Sequence, residues 1–331
     1  MKLYFLGLGA CAAKIIFAPQ HAGRWPHIEE LARTSLYGPS DCEPGLALTG
    51  PSWMSIYTGQ PAAVHGVTDP WGRPVHGSRA FRSVREPFIW DILNRAGLTC
   101  GLVTLPLVFP AYPIDGFMIA GSPSPRLSVS GNIAVPADFP KEDSQAIREA
   151  KPIPGPGVAR RDEIPLEATL ALLQAAELKK AALVPELLRQ HPVDCLFVQY
   201  ACLARVGHAL NDDARRGQGY DPRHALETYD WFDSELLPRA LEIEADALVV
   251  TSELGWRNLA RRGEHDPQGV FMARGAEIAQ GLRIACRNID VLPTVLDILG
   301  LPPSRVAGRS VLVRQGELDQ ANQQLAGLGY I

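Results

Sequence analysis

Five apolar runs, closed by glycine, proline or other small or polar residues, set the fold class of this chain of 331 residues. They read KLYFLGLG, TCGLVTLP, VDCLFVQYA, ADALVVTSE and GVFMARG. Each is too short for a buried helix and apolar at consecutive positions rather than at every second one. That pattern belongs to strands covered on both faces, which need helical crossovers between them. The helical period is present between several of the runs, in EPFIWDILNRAG and IDVLPTVLDILG. The expectation is an α/β fold, with a central, mostly parallel sheet sandwiched by helices. The first strand is read over residues 3–8. Gly97 is expected as a C-cap and Asp290 as the N-cap of the late helix.

The length suits one large domain over 1–331, and residues 122–190 differ from the rest. Their first part, with SPSPRLSVSGNIAVPADFP and AKPIPGPG, is rich in proline, serine and glycine and reads as an irregular insertion capping the strand ends. It is followed by LEATLALLQAAELKKAALVPELLRQ, which has the period of a long amphipathic helix. The tail, GELDQANQQLAGLGYI, reads as a peripheral helix. A net charge of −4 argues against a general nucleic-acid binder. No run is long enough to span a membrane. Six scattered cysteines without a CxxC pair read as buried free thiols. They suit a reducing compartment, and a cytoplasmic location is expected. The apolar N-terminus, broken by Lys14, reads as a strand rather than a secretion leader.

The stretch LALTGPSWMSIYTGQPAAVHGV, residues 46–67, carries the chemistry. Pro51 suits the first turn of a helix, where its missing N–H is not needed. Thr49 then stands at the helix head, beside free N–H groups and the positive end of the dipole. A hydroxyl held there can attack phosphorus if a metal lowers its pKa. The same residue reads equally as an N-cap in a tight turn. His65 is expected to cap this helix at its other end.

With three further stretches, this segment resembles the type I phosphodiesterase/nucleotide pyrophosphatase branch of the alkaline phosphatase superfamily. The three are PFIWDILNRAGLTCGLVTLPLVFPAYPIDGFMIAG, GEHDPQGVFMARG and IDVLPTVLDILGLPPSRVAGRSVL. They run in order over most of the chain, most weakly between 122 and 190. The resemblance implies an alkaline-phosphatase-like fold and a small phosphorylated or nucleotide-like ligand. It also implies two metal ions, usually zinc, held by three Asp and three His around a Thr nucleophile. Carried over by position, Thr49, His208 and His265 match. Gly9, Ala204, Glu253 and Leu254 stand where other ligands are expected.

A side chain of glycine, alanine or leucine cannot ligate, so the resemblance argues against a two-metal centre. The expected cofactor is none or a single zinc, with His208, His265 and Glu253 as candidate ligands and Asp212 or Asp213 as substitutes. Thr49, His208 and His265 are the candidate catalytic residues. The leading expectation is a divergent phosphodiesterase-like protein, either a pseudoenzyme or a metal-independent transfer or binding protein. A one-zinc phosphodiesterase with Thr49 as nucleophile and a protein-binding scaffold are the alternatives. Arg205, Arg261 and Arg262 read as solvated surface or as phosphate-binding substitutes for the lost metal charge. A separate reading takes GLGACA as a dinucleotide fingerprint with Glu29 or Glu30 as its acid. Pro19, which cuts the following helix short, weighs against it.

Overall fold

The structure is a computed structural model that describes residues 1–69, 84–108, 111–120, 133–134, 166–215, 222–256, 265–302 and 305–327. Nine strands form one sheet. They are β1 (Leu3–Leu8), β2 (Leu36–Asp41), β3 (Cys100–Leu105), β4 (Gly116–Ala120), β5 (Ile133–Ala134), β6 (Cys195–Tyr200), β7 (Ala247–Thr251), β10 (Gln268–Gly275) and β11 (Cys286–Arg287). β8 (Gly255–Trp256) and β9 (His265–Asp266) pair separately as a small antiparallel ladder. The order across the main sheet is β11-β2-β10-β7-β1-β6-β3-β4-β5. β10 runs antiparallel to β2 and β7, and β5 antiparallel to β4, while the remaining neighbours are parallel. The fold is therefore the mostly parallel α/β sandwich expected from the apolar runs.

β1 lies at the centre because both its faces are apolar. Leu3 and Phe5 enter one core, while Tyr4, Leu6 and Leu8 enter the other. The helices that matter are α1 (Pro26–Arg33), α2 (Thr49–Thr58), α3 (Ile89–Arg95), α4 (Leu166–Gln190), α5 (Cys202–Arg215), α6 (Pro222–Trp231), α7 (Val291–Ile298) and α8 (Gln315–Gly327). α2, α3 and α7 cover the first face, while α1, α4 and the stretch continuing from α6 cover the second. Gly7 follows Phe5 on the first face. A Cβ there would come within 2.9 Å of Trp53 Cη2, so the glycine lets the buried indole of α2 lie against the sheet.

The long amphipathic pattern forms α4, which packs Ala181, Val184 and Leu187 into the second core. Residues 122–132 and 135–165 of the expected insertion lie outside the described residues. α3 ends ahead of Gly97, which adopts φ +79°. Asp290 does not cap α7 by its side chain. It accepts instead from the backbone N–H groups of Arg287 (3.1 Å) and Arg309 (3.0 Å), and from the Arg287 guanidinium. It thus ties two loops together ahead of the helix. All six cysteines are free and buried. Among the described residues, no helix is long and apolar enough to cross a membrane.

One buried ion pair fastens α4 to the end of β6. Lys180 and Glu177, only 5% and 1% exposed, meet at 2.6 Å. Lys180 Nζ also donates to the Gln199 carbonyl (2.7 Å), and Glu177 accepts the Ala201 N–H (3.0 Å). Burial lowers the lysine pKa and the Glu177 carboxylate opposes it. Removing one partner strands the other charge away from water, which costs about 3–5 kcal/mol. Glu177→Ala is expected to lose stability of that order in urea denaturation. The double change Glu177→Leu with Lys180→Met is expected to recover much of the loss.

Candidate active site

Parallel pairing gathers three strand ends. β1 is flanked by β6 on one side and β7 on the other, with Gly7 opposite both Gln199 and Thr251. The segments that follow, from Gly9, Ala201 and Ser252, therefore emerge side by side. In open α/β sheets the crevice beyond the carboxyl ends of the strands is where ligands bind.

Thr49 is the first residue of α2 and is half-buried. Leu48, extended, holds the N-cap position and contributes no side-chain bond, so Thr49 lies one residue inside the helix rather than capping it. The first helical bond runs from the Ser52 N–H to the Leu48 carbonyl (3.1 Å). Gly59, at φ +64°, closes the helix. His65 does not cap it. Its Nδ1 accepts the Val67 N–H (3.1 Å), which puts the ring hydrogen on Nε2, facing Ser55 Oγ at 3.2 Å. A ring so arranged donates to the serine and cannot act as its base. Burial pushes the His65 pKa down to about 4.

His208 and His265 come together, with ring centroids 5.8 Å apart and planes nearly perpendicular. His208 lies on α5, and His265 opens β9. His265 Nδ1 faces the Ala47 carbonyl at 3.3 Å, two residues before Thr49. A carbonyl only accepts, so Nδ1 carries the hydrogen and Nε2 keeps its lone pair. Burial lowers the His265 pKa and the Ala47 contact opposes it. The ring is therefore neutral near pH 7. The neighbouring Asp266 is held by Lys14 (3.0 Å) and by the Gln268 N–H (2.9 Å), which fixes the short strand.

Between these histidines stands a residue the motif comparison passed over. Trp256 makes edge contacts with His208 (5.0 Å between centroids) and His265 (4.7 Å). Its indole packs with Ala10, Leu254 and Ala204 in an apolar cluster. Two positions expected to ligate, Ala204 and Leu254, are thus part of an apolar cluster around the indole. At the third, Gly9, a Cβ would meet Gln199 Nε2 at 2.9 Å and the Ala204 Cβ at 3.1 Å. An aromatic residue directly after Ser-Glu-Leu-Gly was the available signal.

Glu253 does not join the histidines as a third ligand. Its carboxylate accepts the Ala10 N–H (3.3 Å) and faces Ser252 Oγ (3.5 Å). The Trp53 indole N–H lies close enough to favour the charged form, but not in normal hydrogen-bond geometry. Among the described residues, no group of three His, Cys, Asp or Glu side chains gathers as a metal site. The side chains of Asp212 and Asp213, and residues Arg261 and Arg262, lie outside the described residues. Arg205 is half-buried near Lys180, and its Nη1 is buried without a hydrogen-bond partner. The dinucleotide reading fails on placement: Glu29 and Glu30 sit on α1, where they bond Gly23 N–H and Arg33, not at the end of a second strand.

A parallel α/β sheet with a threonine at a helix head and two histidines beyond the strand ends defines a protein of the alkaline phosphatase superfamily. Solved structures share the fold. A 2-O GAG sulfatase aligns at TM-score 0.58 and 13% identity, over 94% of this chain and 73% of the other. The phosphonate monoester hydrolase of Agrobacterium radiobacter aligns at TM-score 0.55 and 14% identity, over 94% and 76%. Human ectonucleotide pyrophosphatase/phosphodiesterase 5 aligns at TM-score 0.51 and 11% identity, over 93% and 97%. A comparison with curated proteins finds no match. The family model of type I phosphodiesterase/nucleotide pyrophosphatase matches residues 5–265, and the chain belongs to that family.

Burial leaves Glu253 with a pKa raised from 4.5 to about 7. Between those values the folded protein binds a proton that the unfolded chain releases, so this group's contribution to stability falls as pH rises through 7. The difference corresponds to on the order of 3 kcal/mol at pH 8. Glu253→Gln is expected to leave urea stability little changed at pH 4.5 and to raise it at pH 8. An unchanged pH slope in the variant would show that the carboxyl is not buried as described.

Proposed function

We propose that the chain is a divergent type I phosphodiesterase-like protein that does not run two-metal hydrolysis. It binds a small phosphorylated or nucleotide-like ligand at Thr49, His208 and His265. The observation that carries this reading is the apolar cluster of Ala10, Ala204, Leu254 and Trp256 where carboxylate and imidazole ligands are expected. A divalent ion needs lone pairs converging on it, and these side chains have none. The residues present do not fit a pair of metal ions.

What remains suits an oxyanion without a metal. The head of α2 offers backbone N–H groups and the positive end of its dipole. His265 is held as a neutral imidazole with Nε2 open. In a transfer reaction the Thr49 hydroxyl would attack phosphorus as the bond to the leaving oxygen breaks, a neutral imidazole would take the hydroxyl proton and return it to that oxygen, and the phosphoryl group would pass from Thr49 to an acceptor hydroxyl or water. In a pure binding protein the same donors hold the ligand and no bond changes. The six buried thiols suit a reducing compartment, which we propose as the setting.

The test is calorimetric titration with AMP and with inorganic phosphate in the presence of EDTA. Binding is expected in the wild type, weakened about tenfold in Thr49→Ala and in His208→Ala, a loss of about 1.4 kcal/mol. Hydrolysis of bis(4-nitrophenyl) phosphate that requires zinc and stops in Thr49→Ala would replace this reading with the one-metal hydrolase. Absence of both binding and turnover would leave the scaffold.

A further inference from the structure

We infer that Trp256 is the positioning residue of this site, an indole that sets the orientation of His208 and His265 where the family's chemistry relies on metal ions. The inference goes beyond the functional reading above and does not depend on what the ligand is.

Three independent features place the indole. First, register fixes it against one histidine. Trp256 and His265 are direct partners in the antiparallel pairing of β8 with β9. Cross-strand partners are the closest side-chain neighbours a sheet provides. Second, α5 is shaped to receive it. Gly207 precedes His208, and a Cβ at Gly207 would lie 2.1 Å from Trp256 Cε2. Only glycine leaves that seat open, and the seat brings the indole edge-on to His208. Third, the far wall is apolar. Ala10, Leu254 and Ala204 close around the ring, which is only 9% exposed.

The three rings then contact one another pairwise at 4.7, 5.0 and 5.8 Å, all at steep interplanar angles. Such edge-to-face contacts are directional, so the indole fixes the angle of each imidazole as well as its place. Tryptophan offers a donor and no lone pair, so it orders the histidines without ligating. Its bulk also occupies ground that a shared ion would need if both imidazole nitrogens were to turn toward one point.

The experiment follows the ring signals of His208 and His265 by NMR, assigned with His208→Gln and His265→Gln. Spectra are recorded for the wild type, Trp256→Phe, Trp256→Ala and Gly207→Ala, each with and without one equivalent of zinc chloride. Loss of the indole in Trp256→Ala is expected to shift both histidines, while Trp256→Phe restores signals near the wild-type positions. Gly207→Ala, which forces the indole from its seat, is expected to shift both as well, and it serves if the alanine variant at 256 does not fold. Zinc is expected to leave the wild-type histidines unmoved and to perturb both in Trp256→Ala. Histidine signals that ignore the loss or displacement of the indole overturn the inference. So does zinc that perturbs both histidines in the wild type. These readouts stand apart from ligand binding, so failure of the Thr49 titrations would not be mistaken for failure here.

Discussion

The placement of β1 between β6 and β7 is the constraint on which the site depends. Parallel neighbours in register carry their chains to the same edge of the sheet, so the turns after Leu8, Tyr200 and Thr251 leave side by side. A slip of one residue would exchange the two cores and put a side chain where Gly7 admits Trp53. Gly7 is the one position in β1 where the sheet gives way to Trp53 of α2. The helix that presents Thr49 is thereby seated against the strand whose end forms the floor of the site.

Much of this was legible in the sequence, for physical reasons. Strands buried on both faces must be apolar throughout, so the five runs announced the central sheet. The ordered motifs singled out Thr49, His208 and His265; the structure sets Thr49 at the head of α2 and brings the two histidine rings together. Other parts were hidden. β2 reads LYGPSD, and its glycine and proline resemble a turn rather than a strand. Yet Gly38 is required there, since a Cβ would fall 1.9 Å from the Ile284 carbonyl oxygen. The reversed direction of β10 left no mark either, because a core strand is equally apolar in both senses. Trp256 was missed because what defines it is far away in sequence. Gly207 and His208 lie about fifty residues upstream, and no local period links an indole to its seat.

Two buried ionisable groups sit near Thr49, and they pull stability in opposite directions with pH. His65, neutral with its pKa pushed down to about 4, resists the proton that the unfolded chain accepts below about 6.5. Its contribution therefore weakens as pH falls through that window. Glu253, raised to about 7, weakens the fold as pH rises. Their windows, 4.5 to about 7 for Glu253 and 6.5 down to about 4 for His65, overlap almost completely, so the two opposing slopes largely cancel between them. A protein optimised only for stability would carry neither group. Their retention beside α2 fits a site whose polar residues serve something other than the fold.

The apolar cluster and the histidine pair have to be understood together. A metal ion organises its ligands through strong, convergent bonds, and at this site His265 is oriented in part by the Ala47 carbonyl and both rings by their contacts with Trp256. Edge-to-face aromatic contacts are each worth only about 0.5–1.5 kcal/mol. Two around the indole, with a third between the histidines themselves, restrict ring orientation where the rings are packed and the backbone is already fixed. Ala10 and Leu254 are buried beside the indole, and the β8–β9 pairing with α5 fixes the backbone. Glycine within a helix costs about 1 kcal/mol relative to alanine. At Gly207 that cost is offset by the seat it opens for the indole. Under the proposed reading, the residues at Gly9, Ala204 and Leu254 belong to one arrangement. Small and apolar residues at those positions are what an aromatic centre requires, just as carboxylates and imidazoles are what an ionic one requires.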